Sequence, residues 1–425
     1  EQMETSAGGR AVRKLASRPA TPGKSVMISL DIKLQKMVED LFGDRRGALV
    51  AIDPRNGEVL ALVSKPTFDP NLFVEGIDVE NWTALNESID KPLLNRALRG
   101  LYPPGSTYKP FMALAALELN KRSPSMIVSD PGYYNFGGRT FRSHEGGLGA
   151  LDMHRAIQFS SNTYFYSLAV EMGVDAIHDF MKPLTFGQTT GIDLNGEVRG
   201  TLPSTEWKRN AYKRADMKRW FPGETVSLGI GQGYNNFTML QLASAQATMV
   251  NGGTRYRPHM AKAVKNSVTG AITEIPQPPG ENLGYLPRNV EIVRNAMVAV
   301  NKGGTGTRVF AGAPYTSGGK TGTAQAVSLG QNVRYNAKAL EEHQRDHSLF
   351  TAFAPAEAPT IALALIVENA GFGAAHAAPI ARRVFDYWLM GEYPSEADIA
   401  AVQKGQASAP IGKPRAAADV PLLVP

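Results

Sequence analysis

Two short apolar runs near the start of the chain, Ala48-Leu49-Val50-Ala51-Ile52 and Val59-Leu60-Ala61-Leu62-Val63, flank the turn Asp53-Pro54-Arg55-Asn56-Gly57. Proline and Asn-Gly supply turn dihedrals, so the pair reads as a β-hairpin. Three more strand candidates lie in the last third: a Gly- and Thr-rich stretch over 315–326, and apolar runs over 348–354 and 360–367 separated by Pro355-Ala356-Glu357-Ala358-Pro359. Two strands near the start and three near the end predict one antiparallel sheet closed by strands distant in sequence and covered by helices, an α+β fold.

The helices are legible from apolar spacing. Leu34, Met37, Val38, Leu41 and Phe42 give an amphipathic helix closed by Gly43. A second pattern spans 151–172 and is interrupted at Ser160-Ser161-Asn162. Others cover 237–250, the positions Val290, Val293, Met297 and Val300, and 379–390. The polar, basic segment 1–24 reads as a linker or the remnant of a preceding domain, and the Ala- and Pro-rich segment 394–425 as a tail with no core to join.

Composition excludes some chemistry. The 425 residues contain no cysteine, which rules out disulfides, thiol catalysis and thiolate-bound zinc. Net charge is +6, but the basic residues are scattered; the longest cluster, Lys208, Arg209, Lys213, Arg214, Lys218 and Arg219, argues for an anionic surface or substrate rather than nucleic acid. The chain opens at Glu1, and no apolar run approaches the ~18 residues of a membrane span. Any anchor is therefore expected in a longer parent chain.

Three stretches carry candidate chemistry. Pro103-Pro104-Gly105 breaks the chain before Ser106, and the apolar run from Phe111 to Leu117 predicts a buried helix behind it. Ser106 and Lys109 then share a helical face, a serine nucleophile beside its base, with Ser106 at a helix start where N–H groups favour an oxyanion. Ser160-Ser161-Asn162 places a hydroxyl that can relay a proton to Lys109 and an amide that can bind a peptide. Gly318-Gly319-Lys320-Thr321-Gly322-Thr323 lies on a strand candidate, where glycines allow a substrate peptide to approach as an added strand. Lys320 supplies positive charge, Thr321 and Thr323 hydroxyls to hold a carboxylate, and the N–H groups of Ser106 and Thr323 a paired oxyanion hole. Singly, these also fit a capped helix start, a polar kink and a Gly-rich turn. Two nucleotide-binding readings fail on spacing: Gly229-Ile230-Gly231-Gln232-Gly233-Tyr234 does not match G-x-G-x-x-G, and a Walker loop needs glycine where Pro314 stands.

Together the order Ser-x-x-Lys, Ser-x-Asn, Lys-Thr-Gly resembles the class B penicillin-binding proteins, over about residues 10 to 390. Asn95-Arg96-Ala97, Thr190-Gly191-Ile192-Asp193 and Lys320-Thr321-Gly322-Thr323-Ala324-Gln325 strengthen the likeness. The resemblance implies a transpeptidase domain over 25–393 with the serine β-lactamase-like fold, preceded over 1–24 by what remains of a non-catalytic pedestal. It implies Ser106 as nucleophile, Lys109 as base, Ser160, Asn162 and Lys320 as further catalytic groups, and Thr321, Gly322 and Thr323 as substrate-binding. The implied activity is D,D-transpeptidation of peptidoglycan stem peptides, donor and acceptor, during cell elongation, with β-lactams as acylating mimics. D,D-carboxypeptidase, serine β-lactamase or a non-catalytic β-lactam sensor are the rivals. Implied partners are a SEDS-family glycan polymerase and a rod-shape scaffold, at the periplasmic side of the inner membrane. No cofactor is implied. Some relatives bear Asp, His and Cys zinc ligands between the first two motifs; Asp130 and His144 are present here without the cysteine, so no zinc site is expected. His343 and His347 have helical metal-ligand spacing but no third ligand in view.

Overall fold

The computed structural model describes residues 2–18, 20, 22–143, 146–326 and 340–422. It divides into two compact units, Glu1–Ser29 with Ala261–Gln277, and Leu30–Met260 with Pro278–Pro425.

The smaller unit holds a three-stranded antiparallel sheet in the order Ile272–Glu274, Ala261–Lys265, Ser25–Ile28, and a hairpin of Gln2–Thr5 with Ala11–Ala16. The sequence boundary after residue 24 is thereby corrected. Ser25–Ile28 takes its ladder from Ala261–Lys265, so both the strand and 261–277 leave the larger unit. Apolar alternation cannot show such a pairing, since a strand's partner is a long-range property.

In the larger unit the main elements are α1 (Ile32–Phe42), β1 (Gly47–Ile52), β2 (Val59–Lys65), α2 (Lys109–Glu118), α3 (Met153–Gln158), α4 (Asn162–Met172), α5 (Pro222–Leu228), α6 (Met239–Val250), α7 (Pro287–Gly303), β3 (Gly318–Ala324), β4 (His347–Ala354), β5 (Ile361–Val367), α8 (Ala378–Met390) and α9 (Glu396–Gln403). The five strands form one antiparallel sheet ordered β3-β4-β5-β1-β2, which is the expected closure of late strands onto early ones. Both faces are covered. Ala48, Val50 and Ile52 of β1 point into a core with α2, α4 and α6, while Leu49 and Ala51 point into a second core with α1 and α8. This two-sided burial is why β1, β4 and β5 read as continuous apolar runs rather than alternating ones. β3, which carries Lys320, Thr321 and Thr323, is an edge strand.

The segment 394–425 is not a free tail. Ile399, Val402 and Ala407 are buried, and Asp398 closes a buried ion pair on Arg383 of α8 at 2.6 Å. Gln403 Nε2 donates to Asp40 O at the end of α1 at 2.6 Å. An Ala- and Pro-rich composition concealed this, because three apolar side chains and one charge partner suffice to dock a short helix. Among the described residues no helix is long and apolar enough to cross a membrane.

Candidate active site

The approach to Ser106 is pinned before the turn begins. Tyr102 N donates to Phe237 O and Phe237 N to Tyr102 O, both at 2.9 Å. The Tyr102 hydroxyl donates to Glu368, which also accepts from Arg96 Nε at 2.8 Å. Burial pushes the Tyr102 phenol well above its usual range, so it stays a donor. Burial alone would raise Glu368 as well, but the hydrogen bonds from Arg96 and Tyr102 hold its carboxyl below the usual range. Thus Asn95-Arg96-Ala97, which has no place in the chemistry, fixes the strand-end carboxylate that holds the entry to the turn.

Gly105 then turns the chain with φ +55°, and its N–H donates to Gly231 O at 3.0 Å. Residues Gly105–Tyr108 form a 3-10 turn that runs into α2, rather than the α-helical start the sequence predicts. The cause is Pro110, which has no N–H to give to Ser106 O; Lys109 N closes onto that carbonyl instead, one residue earlier. Ser106 is half-buried, whereas Lys109 is fully buried on the first turn of α2. Tyr108 anchors the turn from beneath, its ring 5.4 Å from Phe186 and 6.0 Å from Phe237.

Between α3 and α4 the expected break is present, and Ser160 occupies the left-handed region with φ +61°. For a residue with a Cβ this conformation costs about 1–3 kcal/mol, and it is held by its neighbours. Ser161 Oγ caps α4 by accepting from Tyr164 N at 3.1 Å and donates to the buried Asp130 at 2.5 Å. Asp130 also takes Gly132 N at 2.8 Å. So the carboxylate considered above as a zinc ligand anchors the middle motif. His144 lies outside the described residues. His343 and His347 share no helix: His347 opens β4, with Nδ1 accepting from Asn369 N at 3.0 Å, and burial pushes its imidazole below the ordinary range.

The three stretches meet at Ser160. Lys109 Nζ donates to Ser160 O at 2.6 Å, Ser160 Oγ at 3.1 Å and Asn162 Oδ1 at 2.7 Å. Lys320 Nζ reaches the same Ser160 Oγ at 2.8 Å and Thr321 O at 3.1 Å. One hydroxyl therefore stands between two buried amino groups, an arrangement suited to proton relay.

β3 lies directly against the Ser106 turn. A Cβ placed on Gly105 would sit 2.6 Å from Thr323 O, and one on Gly322 would sit 2.8 Å from Thr107 Cγ2. The glycines of β3 are thus spent on the protein's own neighbours: rings of Phe353 and Phe350 at Gly318 and Gly319, the nucleophile turn at Gly322. The expectation that they mark a visiting backbone is corrected to that extent. What β3 leaves unpaired by another strand is its outer edge. Gln232 Nε2 donates to Thr323 O at 3.3 Å from the side away from β4. In an extended strand the N–H and C=O of one residue share an edge, so Thr323 N–H faces the cleft beside Ser106.

Sequence reasoning missed three contributors. Gly231 and Gln232 back the Ser106 turn and Thr323, although their glycine-rich stretch matched no nucleotide motif. Thr305, in the turn after α7, meets Thr321 hydroxyl to hydroxyl at 2.8 Å. The last residue of α7 also receives Gln158 Nε2 of α3 on Gly303 O at 3.1 Å, tying the helix before the middle motif to the turn that meets β3. Only the Gly303-Gly304 helix stop signalled this turn, and nothing in it pointed to Thr321.

Residues 47–386 match the family model described as penicillin binding protein transpeptidase domain. The chain is similar to the peptidoglycan D,D-transpeptidase MrdA of Haemophilus influenzae, 40% identical over 398 residues that cover 93% of this chain and 60% of that protein. It therefore spans less than two thirds of that relative's length. It is also similar to the crystal structure of Pseudomonas aeruginosa PBP2 in complex with WCK 5153, with TM-score 0.75 and 43% identity, over 87% of this chain and 76% of that one. A complex between PBP2 and MreC from Helicobacter pylori gives TM-score 0.77 and 29% identity, over 92% and 68%.

Proposed function

The chain belongs to the penicillin-binding protein transpeptidase family, and from that premise we propose that it is a serine D,D-transpeptidase that cross-links peptidoglycan stem peptides during cell elongation and is acylated by β-lactams. The observation that carries this reading is the convergence of Lys109 and Lys320 on Ser160 Oγ, at 3.1 and 2.8 Å, beside the turn that bears Ser106.

The donor stem peptide lies along the open edge of β3, its terminal carboxylate held by Thr321, Thr323 and the charge of Lys320. Ser106 Oγ attacks the carbonyl of the penultimate D-alanine, and its proton passes to the Lys109 amine. Two amino groups facing one hydroxyl repel as a pair of cations, which favours one of them as a free base. The N–H groups of Ser106 and Thr323 receive the charge that develops on the carbonyl oxygen; removing one such donor typically costs about 100- to 1000-fold in rate. As the C–N bond breaks, Ser160 relays a proton to the leaving D-alanine nitrogen, with Asn162 fixing Lys109 and the donor peptide. An acceptor stem-peptide amine then attacks the ester, forming the new amide while Ser106 Oγ recovers a proton.

The same reading has the whole protein working at the periplasmic face of the inner membrane with a SEDS-family glycan polymerase and a rod-shape scaffold, which the likeness to a PBP2 solved in complex with MreC supports for the scaffold. The test is a stem pentapeptide supplied with an amine acceptor, following D-alanine release and amide formation together. Amide formed in step with D-alanine supports transpeptidation. D-alanine released with only the shortened free acid appearing overturns it in favour of a carboxypeptidase.

A further inference from the structure

One buried charge in this unit has no part in the acyl-transfer chemistry. Lys208, on the helix Thr205–Ala211, is 2% exposed, and its ammonium lies 5.1 Å from the Phe221 ring centre, 5.6 Å from Trp220 and 5.7 Å from Tyr234. It donates to both carboxylate oxygens of Glu224, in the first turn of α5. The same carboxylate accepts from Phe221 N and from the Tyr234 hydroxyl, each at 2.9 Å. Within the basic run from Lys208 to Arg219, which reads in sequence as suited to an anionic partner, this one member is turned inward.

Glu224 and Tyr234 stand near the two ends of an arch, 222–234, made of α5 and the glycine-rich turn after it. The crown of the arch is where Ser106 is braced. Gly231 O accepts from Gly105 N at 3.0 Å, and Gln232 Nε2 holds Thr323 O at 3.3 Å. The fit at the crown is close: a Cβ on Gly231 would lie 2.3 Å from Gly105 O and 2.9 Å from Tyr108 Cβ. One carboxylate thus ties both ends of the arch, and the arch touches both sources of the N–H pair that faces the substrate carbonyl.

We infer that Lys208, Glu224 and Tyr234 are positioning residues for acylation, acting through Gly231 and Gln232 to set the spacing between the Ser106 turn and β3. The assignment rests on the acyl-transfer reading above. Such a device affects the chemical step more than the encounter, because it moves the N–H donors by fractions of an ångström and leaves the cleft open.

The experiment uses the full chain and a chromogenic or fluorescent penicillin. Tyr234→Phe removes one hydroxyl and keeps the ring beside Trp207, 5.1 Å away. The limiting first-order acylation constant is expected to fall on the order of tenfold while the half-saturating concentration changes by less than about twofold. Gln232→Ala, which leaves the ion pair intact, is expected to give the same split. The double variant is expected to be little worse than the more damaging single one, since both act along one path. Wild-type acylation in Tyr234→Phe, or a loss matched by the unfolded fraction, overturns the assignment alone. A wild-type chain that takes no penicillin overturns the acyl-transfer reading with it.

Discussion

Gly105→Ala tests how closely the nucleophile turn is fitted to β3. Gly105 has φ +55°, where a residue with a Cβ is strained by about 1–2 kcal/mol. The new Cβ would lie 2.6 Å from Thr323 O, against 3.4 Å where ordinary contact begins, so turn and strand have to part by about 0.8 Å. Neither wall gives way easily. Thr323 sits in the ladder opposite Ser348, and Gly105 N is bound to Gly231 O. Adding overpacking to the backbone strain gives an expected stability loss of about 2–5 kcal/mol, read by urea denaturation. Displacing a nucleophile by nearly 1 Å costs about 100-fold in rate, so the second-order acylation constant, measured by stopped-flow with a fluorescent penicillin, is expected to fall by about that factor in the folded variant. Folded Gly105→Ala protein that acylates within about threefold of wild type would mean that the tight fit of turn to strand has no bearing on Ser106.

Other outcomes follow from groups around this centre. Asp398→Ala leaves the Arg383 guanidinium buried without its carboxylate, both side chains being 1% exposed, and is expected to cost about 3–5 kcal/mol in urea titration; a change below 1 kcal/mol (about the value of an exposed pair) would restore the segment as a dispensable tail. Thr305→Val removes the hydroxyl that meets Thr321, and the half-saturating penicillin concentration is expected to rise about fivefold, the equivalent of ~1 kcal/mol for one hydrogen bond, with no change expected if Thr321 is set by its strand alone. Glu368 and His347 both have folded values below their ordinary ones, 4.5 and 6.5, so between folded and unfolded values the unfolded chain binds more protons. Their stabilisation is present above those ordinary values and is lost on acidification, first below about pH 6.5 for His347 and then below about pH 4.5 for Glu368. Denaturation midpoints followed from pH 8 to about pH 4 are expected to fall, and Glu368→Gln to flatten the lower limb; a midpoint that rises on acidification contradicts both assignments.

What was legible in the sequence was what local patterning encodes. The turn Asp53-Pro54-Arg55-Asn56-Gly57 announced the first hairpin, and the two-sided apolar runs over 348–354 and 360–367 announced the strands that close onto it. The break at Ser160-Ser161-Asn162 fell where the structure has it, because a capping serine and a polar pair end one helix and start the next. Long-range pairings were not legible. Val26-Met27-Ile28 has the composition of a strand whichever sheet it joins, and only the Ala261–Lys265 ladder decides. The 3-10 geometry at Ser106 depends on a single missing N–H at Pro110, a detail finer than apolar spacing can carry. The anchoring role of Asp130 was not legible because its partner, Ser161 Oγ, is 31 positions away. The same holds for Gln232, whose target at Thr323 lies 91 positions on, while Thr305 meets Thr321 only 16 positions on but across a short helix and a loop that carry no pairing signal.

The most direct test of the central claim, that three separate stretches form one acylating centre on Ser106, is mass spectrometry of the full chain incubated with a penicillin over hours, with peptide mapping and Ser106→Ala alongside. The expected result is a mass increase equal to one intact penicillin, persisting for hours and mapping to the peptide that contains Ser106, with the variant unmodified. An adduct on another peptide, an equal adduct on Ser106→Ala, or unmodified protein in a solution of intact drug would contradict it.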